Sequence, residues 1–287
     1  MNEDADHPPA LRAPAGSCDC HIHIYGEQER YPAAPGARYL PPLATVDHYR
    51  IVMRRLGIER AVIVQPTAYG TDNTCTLDAL AKLGEHARGV LLVTPDTPRS
   101  DIASWTENGA RAARFFMLPG AILNWDMLAP VAELIADFGW HVQLQLDGRT
   151  LADHETLVRR LPCDVVIDHN GKFLEPVGAD HPGMRALFRL LETGRVWVKA
   201  SAPYETSKCG APDYADVAAI ARGLIAAAPE RIVWATNWPH GGQKHKPDDA
   251  ALLDLLLEWA PSAQTRQRIL VENPRNLYFS GRMRAAG

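Results

Sequence analysis

Residues 18–23 read CDCHIH, a short apolar segment that ends in two histidines separated by one residue. Side chains two residues apart on an extended strand point to the same face, so we expect His21 and His23 to present their imidazoles together. A doubly wound nucleotide-binding sheet would carry a glycine-rich turn directly after such a strand. The histidine pair stands where that turn would begin. The segment therefore favours a barrel with a polar site at the end of its first strand, and the doubly wound sheet is the structural alternative.

Further apolar segments follow along the chain, and segments of helical periodicity separate them. This alternation is typical of βα units around a parallel sheet. The predicted strands cover residues 18–23, 60–65, 88–93, 110–116, 141–146, 165–168, 196–199 and 232–236. The predicted helices cover residues 47–56, 74–86, 101–108, 125–138, 151–161, 182–193, 213–228 and 248–260, with a short last helix at 264–271. This pattern predicts an α/β fold, the (β/α)8 TIM barrel.

The size of the chain fits one domain. It has 287 residues, and 46% of them are hydrophobic, which is enough for the large core of a single barrel. We predict a catalytic barrel at residues 17–287 behind a flexible, proline- and alanine-rich N-terminal arm at residues 1–16. Residues 31–42 are rich in proline and glycine, so we expect them to form a long first loop over the mouth of the barrel.

The charge pattern limits the classes of partner. The net charge of −4 comes from 30 basic and 34 acidic residues without a basic stripe, so we expect no nucleic-acid partner. The chain has no apolar run long enough for a membrane span and no hydrophobic signal segment, which predicts a cytoplasmic protein without a membrane partner. Its five scattered cysteines are expected to be reduced thiols. A monomer or a small homo-oligomer is expected.

Polar side chains stand at the carboxyl ends of the predicted strands, where barrels of this type carry their active sites. They are His21, His23, Gln65, Thr67, Arg114, Asp168, His169, Lys199, Ser201, Thr236 and Asn237, with His240 just beyond. The histidine pair alone is more typical of hydrogen-bonded residues in a polar barrel mouth than of a metal-ligand pair or a pair that polarises a substrate carbonyl. Together with the other strand-end groups, it predicts a catalytic site.

Five segments together resemble the amidohydrolase-2 family. They are DCHIH at 19–23, VQPT at 64–67 with GTDN at 70–73, RAARF at 111–115, VIDHNGK at 166–172 and WATNWPH at 234–240. The resemblance covers nearly the whole chain, and it is to the branch that contains 2-pyrone-4,6-dicarboxylate lactonases and D-galactarolactone isomerases. It implies an amidohydrolase-type barrel, a small-molecule lactone of a sugar acid or dicarboxylate as substrate, and, as in the lactonase, catalysis without a metal.

One departure from the family pattern lies after the eighth strand. The branch usually has an aspartate at the position of Asn237, and its carboxylate activates water for lactone hydrolysis. A carboxamide has no useful basicity near neutral pH, so Asn237 cannot act as that base. The change also removes an anionic metal ligand, and we expect no other acidic strand-end side chain to replace it. We therefore predict no metal and no cofactor; a divalent metal at His21, His23 and His169 is the alternative.

A second departure follows the fourth strand. The lactonase resembles this chain at Arg114 but has a further arginine shortly afterwards, whereas residues 115–119 read FFMLP. One substrate carboxylate held by Arg114, with help from Lys172, fits this pattern better than two carboxylates.

These departures favour isomerisation of a sugar-acid lactone over hydrolysis. An attacking hydroxyl of the substrate itself needs no water-activating aspartate, because intramolecular attack has a high effective concentration. The conversion of D-galactaro-1,5-lactone into D-galactaro-1,4-lactone is such a reaction. We expect His169 to be the main general acid and base, His21 and His23 to polarise the carbonyl or relay protons, and Asn237 and His240 to hold substrate oxygens. Further predicted substrate contacts are Thr67, Asn73, Gln145 and Tyr204.

Three other functions are open at this point. A lactone hydrolase of the 2-pyrone-4,6-dicarboxylate type would use a histidine in place of the missing aspartate. A metal-dependent hydrolase or decarboxylase of the same superfamily would need a bound cation. A non-catalytic binding protein would have lost its base and kept its site.

Overall fold

The computed structural model describes residues 7–280 of the chain. Within this part, parallel strands alternate with helices. The strands are β1 Cys18–Ile22, β2 Arg60–Val64, β3 Ala87–Leu91, β4 Ala110–Phe116, β5 His141–Gln145, β6 Val165–Ile167, β7 Val196–Ser201 and β8 Ile232–Ala235. The helices are α1 Val46–Leu56, α2 Thr74–Leu83, α3 Arg99–Glu107, α4 Leu128–Ala136, α5 Leu151–Arg160, α6 Pro182–Leu191, α7 Ala215–Ala227, α8 Asp249–Trp259 and α9 Ala263–Gln267.

The strands are hydrogen-bonded in the order in which they occur, from β1 to β8. The chain then closes on itself, since the backbone N–H of Asn237 donates to the His21 carbonyl at 3.0 Å and that of His23 donates to the Trp238 carbonyl at 2.8 Å. This sequential order and closure confirm the predicted (β/α)8 barrel. The doubly wound alternative is wrong, because its strand order reverses at a switch point.

Asp19 ties the two closing strands together. Its fully buried carboxylate accepts hydrogen bonds from the backbone N–H of His21 at 3.2 Å and of Thr236 at 3.0 Å, and from the hydroxyls of Thr236 at 2.5 Å and Tyr49 at 3.0 Å. Burial raises the pKa of Asp19 to about 6, although these hydrogen bonds oppose the shift. The carboxylate therefore fixes the ends of β1 and β8 side by side, which places His21 next to Asn237.

The apolar core lies between the strands and the helices that surround them. Trp234 is buried in this layer, whereas Trp238 packs against Tyr49 with ring centroids 5.3 Å apart. The predicted helix at 125–138 is split, because a 3₁₀ turn at Trp125–Met127 precedes α4. The predicted last helix continues beyond α9 as a π-helical turn.

The segments before β1 and after it lie against the barrel. Residues 1–6 of the predicted arm lie outside the described residues, while the backbone N–H groups of Ala10 and Leu11 donate to Asp254 of α8. In the first loop, the Tyr39 hydroxyl is 2.8 Å from that of Tyr25. No helix in the described part of the chain is long and apolar enough to cross a membrane.

Candidate active site

The hydrogen bonds of His21 and His23 assign their tautomers. The Nδ1–H of His23 donates to the Val64 carbonyl at 2.8 Å, which leaves its Nε2 as an acceptor. The two Nε2 atoms are 3.2 Å apart, so the proton between them belongs to His21. The Nδ1 of His21 is then an acceptor, and it lies 3.2 Å from the Nζ of Lys199. Both imidazoles are therefore neutral, and they meet at the strand ends as predicted from their spacing.

Lys199 lies beneath this pair with its side chain fully buried. Three acceptors surround its Nζ: the Oε1 of Gln143 at 2.6 Å, the Nδ1 of His21 at 3.2 Å and the Oδ1 of Asp168 at 3.3 Å. The Nε2 of Gln143 in turn donates to the other oxygen of Asp168 at 3.1 Å. Burial acts to raise the pKa of Asp168, but the charge of Lys199, followed by His169 and Arg114, lowers it overall. Lys199 and Asp168 thus form a buried ion pair against His21.

The same cluster offers ligands to a metal ion. The ligand atoms of His21, Asp168 and His169 lie within 4.8 Å of one another, so the expectation that no other strand-end carboxylate would be available was wrong. However, the ammonium of Lys199 already contacts both Asp168 and His21. An ammonium has no lone pair with which to coordinate a cation, and a second positive charge beside it is unfavourable. The donor set does not fit a divalent ion while Lys199 is protonated.

His169 stands at the end of β6 with its ring 4.8 Å from that of His21. Its Nδ1 is 2.9 Å from the Ser201 hydroxyl, whose own proton is directed towards the Lys199 carbonyl at 3.5 Å. In the tautomer whose Nδ1–H donates to Ser201, the Nε2 of His169 keeps its lone pair and has no hydrogen-bond partner within residues 7–280. Burial is the main reason that the pKa of His169 lies well below its usual range. The imidazole is neutral and can accept a proton.

The backbone around these residues is strained. All of the non-glycine residues with positive φ in the described part of the chain follow β6, β7 or β8. They are His169, Asn170, Lys172, Ala202, Tyr214, Asn237 and His240. Each such conformation costs on the order of 1 kcal/mol or more and is found mainly where function requires it. This clustering supports a functional site at these three strand ends.

Two cations lie beside the histidines. Arg114 of β4 donates to the Gln65 carbonyl and, at 3.2 Å, to the Oε1 of Gln145, while its Nε has no hydrogen-bond partner among the described residues. Lys172 pairs with Glu205. Burial lowers the pKa of Lys172 to about 8. The charge of Asp168 opposes this shift, and the charge of Arg114 adds to it. Arg114 and Lys172 are therefore two buried cations beside the histidines, and charged donors of this kind bind carboxylates.

Asn237, Tyr204 and His240 form a continuous hydrogen-bonded chain. The Nδ2 of Asn237 donates to the Tyr204 hydroxyl at 2.9 Å and to the Oε1 of Glu205 at 3.0 Å. The Tyr204 hydroxyl is 2.9 Å from the Nδ1 of His240, whose Nε2 is 3.0 Å from Asp249. Sequence reasoning missed Glu205 and Asp249, since neither stands at a strand end.

The remaining predicted contacts lie further from the histidines or are already engaged. Thr67 lines a cavity of about 370 Å³ between the first loop and the loop after β4. Both ends of the Asn73 carboxamide bond to the backbone of Leu92 at 2.9 Å. The Oε1 of Gln145 accepts from Arg114. Substrate contacts of these three residues stay predictions.

Buried neutral histidines predict acid lability. Burial is the main cause that lowers the pKa of His23 and of His141 to about 3, while the unfolded chain takes up protons at a pKa of about 6.5. The contribution of these histidines to stability is therefore fully present above about pH 6.5 and falls with the pH below it, by about 1.4 kcal/mol per pH unit for each of them. Urea unfolding between pH 4 and 7 measures this slope.

His141→Phe isolates one contribution. His141 lies at the start of β5, with its Nε2 unpartnered in the described part and its ring against Tyr278. The variant is expected to reduce the acid slope by one histidine, and His86→Gln on an exposed turn is expected to leave it unchanged. Equal slopes in His141→Phe and the wild type would contradict the assignment.

Comparison with known proteins extends these findings. The chain matches the Amidohydrolase family over residues 18–279. It is 41% identical over 270 residues to the D-galactarolactone isomerase of Agrobacterium fabrum, which covers 92% of this chain and 91% of that protein. It is 33% identical over 282 residues to a 2-pyrone-4,6-dicarboxylate hydrolase of Comamonas testosteroni, with 94% and 92% covered. The apo crystal structure of Agrobacterium tumefaciens ATU3138 superposes with a TM-score of 0.89 at 40% identity, covering 94% of this chain and 98% of that one.

The closed barrel and its strand-end histidines define an enzyme of the amidohydrolase type. The chain belongs to the amidohydrolase family. Its relatives include a lactone isomerase and a lactone hydrolase, which confirms the family and the class of enzyme predicted from the sequence.

Proposed function

We propose that this protein is a lactone isomerase that converts D-galactaro-1,5-lactone into D-galactaro-1,4-lactone. In this reaction the C4 hydroxyl attacks the C1 carbonyl, the bond between C1 and O5 breaks, and the proton lost by O4 is gained by O5. No water and no other reactant is consumed. The relative of that activity is 41% identical to this chain.

Asn237 is the observation that carries the proposal. It lies beside His21 at the closure of the barrel, and both protons of its Nδ2 are donated to Tyr204 and Glu205. A carboxamide cannot take a proton from water near neutral pH. An intramolecular attack needs no such base, because the nucleophile is already part of the substrate.

The other side chains supply orientation and proton transfer. The free Nε2 of His169 is suited to take the proton from the attacking hydroxyl and return it to the leaving oxygen. The Nε2–H of His21, which His23 accepts in the structure, is suited to be shared with the carbonyl oxygen as negative charge develops there. Arg114 and Lys172 are suited to hold the free carboxylate at C6. All of these roles use groups of the chain itself.

We also propose that the reaction needs no metal. The positive charge that a cation would supply at His21 and Asp168 comes from the ammonium of Lys199, which lies 3.2 Å and 3.3 Å from them. A fixed charge in a dry site stabilises developing negative charge without reorganisation of solvent.

Proton NMR tests the proposed reaction. With D-galactaro-1,5-lactone and enzyme in chelator-treated buffer, we expect signals of the 1,4-lactone to replace those of the 1,5-lactone faster than in an enzyme-free sample. Accumulation of open-chain galactarate as the first product would instead establish the hydrolase alternative. Conversion that stops on chelation and returns with zinc or manganese would refute the metal-free proposal. An unchanged spectrum would favour a binding protein.

A further inference from the structure

Six side chains at the ends of β6 and β8, in the loop after β7 and at the start of α8 form one connected polar chain, here called the Asn237 network. Its members are Asp249, His240, Tyr204, Asn237, Glu205 and Lys172. Every one of them except Tyr204 and Glu205 is 9% exposed or less, and the Glu205 side chain is 16% exposed. Buried polar chains of this kind hold their members in one orientation when each donor meets an acceptor.

The direction of each hydrogen bond follows from the charged ends. The carboxylate of Asp249 can only accept, so the Nε2 of His240 carries the proton at 3.0 Å and its Nδ1 is an acceptor. The Tyr204 hydroxyl therefore donates to that Nδ1 at 2.9 Å, and its oxygen is left to accept from Asn237. At the other end, Glu205 is held as a carboxylate by Lys172 and accepts the second Nδ2 proton at 3.0 Å.

The network decides which end of the Asn237 carboxamide is available to a ligand. Both protons of Nδ2 are used within the protein, and Oδ1 has no hydrogen-bond donor among the residues that the structure describes. Asn237 thus offers a ligand an acceptor only. Such an acceptor can bind a substrate hydroxyl, but it cannot donate a hydrogen bond to a carbonyl or carboxylate oxygen.

The same geometry opposes an aspartate at this position. In Asn237→Asp the Nδ2 donor becomes a carboxylate oxygen about 3 Å from Glu205. Two carboxylates at such a distance cannot both ionise without a large cost, so one of them stays protonated to a pH well above its ordinary pKa. Because Lys172 pairs with Glu205 and holds it as the carboxylate, the proton stays on residue 237. A protonated carboxyl group is not a base for water.

We infer that Glu205 is the specificity-determining partner of Asn237: it fixes the carboxamide as a hydroxyl acceptor and prevents a carboxylate at residue 237 from becoming the base for hydrolysis. The inference rests on the proposed lactone isomerase function. It makes Glu205 a positioning residue, since it acts through Asn237.

Four enzymes test the inference: the wild type, Asn237→Asp, Glu205→Gln and the double variant Asn237→Asp/Glu205→Gln. Glu175→Gln is the matched control, because Glu175 is an exposed acid paired with Lys208 at 3.0 Å outside the Asn237 network. Proton NMR with D-galactaro-1,5-lactone separates isomerisation from hydrolysis between pH 5 and 9.

Hydrolysis is expected to be fastest where residue 237 is an aspartate and the second carboxylate, Glu205, is gone. At pH 7 the double variant should form open-chain galactarate about tenfold faster than Asn237→Asp, with the midpoint of its pH profile about one unit lower or more. Glu205→Gln alone should lower kcat for isomerisation and gain no hydrolysis, and Glu175→Gln should match the wild type. Hydrolysis by Asn237→Asp with the same rate and pH midpoint as the double variant would overturn the inference.

Thermal unfolding supplies a readout that does not require turnover. Relative to the wild type at the same pH, the Tm of Asn237→Asp should fall by about 5 °C more at pH 8 than at pH 5, because between these pH values the unfolded chain loses a carboxyl proton that the folded protein keeps. The loss should disappear in the Glu205→Gln background, and recovery of soluble protein only in the double variant would support the same conclusion. An equal loss in both backgrounds would refute the pairing. A wild type inert towards the lactone but with this coupling would refute the proposed function alone.

Discussion

Lys199→Met should lower kcat by at least about a thousandfold, because it removes the charge on which His21 and Asp168 both depend. The ammonium lies 3.2 Å from the Nδ1 of His21 and 3.3 Å from Asp168, and a fully buried carboxylate left without its cation is strongly destabilised. Without the ammonium, the Nδ1 of His21 faces the carboxylate of Asp168 at 3.4 Å, which favours the tautomer whose Nδ1–H donates to that carboxylate. This tautomer has no Nε2–H to donate to the carbonyl. Steady-state kinetics of lactone conversion and urea unfolding measure the two effects.

A second substitution separates the catalytic effect from simple loss of stability. Lys199→Met/Asp168→Asn removes both charges, so it should recover much of the free energy of unfolding, as replacement of whole buried ion pairs often does. Its kcat should stay low, since no cation faces His21. Lys208→Met is the surface control, because Lys208 pairs with Glu175 where both side chains are more than half exposed. Recovery of kcat to within tenfold of the wild type in the double variant would show that Lys199 is only structural.

The fold was predictable because it depends on patterns that are local in sequence. Period-two spacing places His21 and His23 on one face of β1, and the alternation of apolar and helical segments predicts the order of the barrel. The strand-end rule then gathers residues that are far apart in the chain, such as His169 and Asn237. The barrel brings all strand ends together, so the convergence of these residues follows from the strand order alone.

Only part of the buried polar cluster beneath the histidines could be predicted from the sequence. Lys199 and Gln143 lie within apolar strands, and an isolated lysine in such a strand indicates a buried partner. Asp168 was noted at the end of β6, but its contact with Lys199 depends on the stagger of β5, β6 and β7 around the barrel. Periodicity within a strand contains no information about that stagger, which explains the wrong expectation about carboxylates.

Glu205 and Asp249 could not be found from any periodic pattern. Glu205 belongs to a 3₁₀ turn after the left-handed residue Ala202, and Asp249 is the first residue of α8. Asn237 and His240, the residues that Glu205 and Asp249 contact, both have positive φ. The sequence does not show which non-glycine residues adopt such a conformation. Loops of this kind acquire their geometry from the elements that hold them.

His169→Gln should lower kcat by about a thousandfold and change the dissociation constant of the open-chain ligand galactarate by only a few fold. The loss of a general acid and base typically costs 10² to 10⁴ in rate, whereas the carboxylate of the ligand is bound in our proposal by Arg114 and Lys172. Glutamine keeps a hydrogen-bonding group of similar length but has no basic lone pair.

Ser201→Ala provides the matched comparison for this variant. It removes the acceptor 2.9 Å from the Nδ1 of His169 and leaves the imidazole in place, so it should lower kcat far less than His169→Gln and shift the balance of tautomers. Isothermal titration calorimetry with galactarate and kinetics with the lactone separate binding from proton transfer. A His169→Gln variant that keeps its kcat but loses affinity would make His169 a binding residue. Proton transfer would then be assigned to His21 and His23, whose Nε2 atoms lie 3.2 Å apart at this end of the barrel.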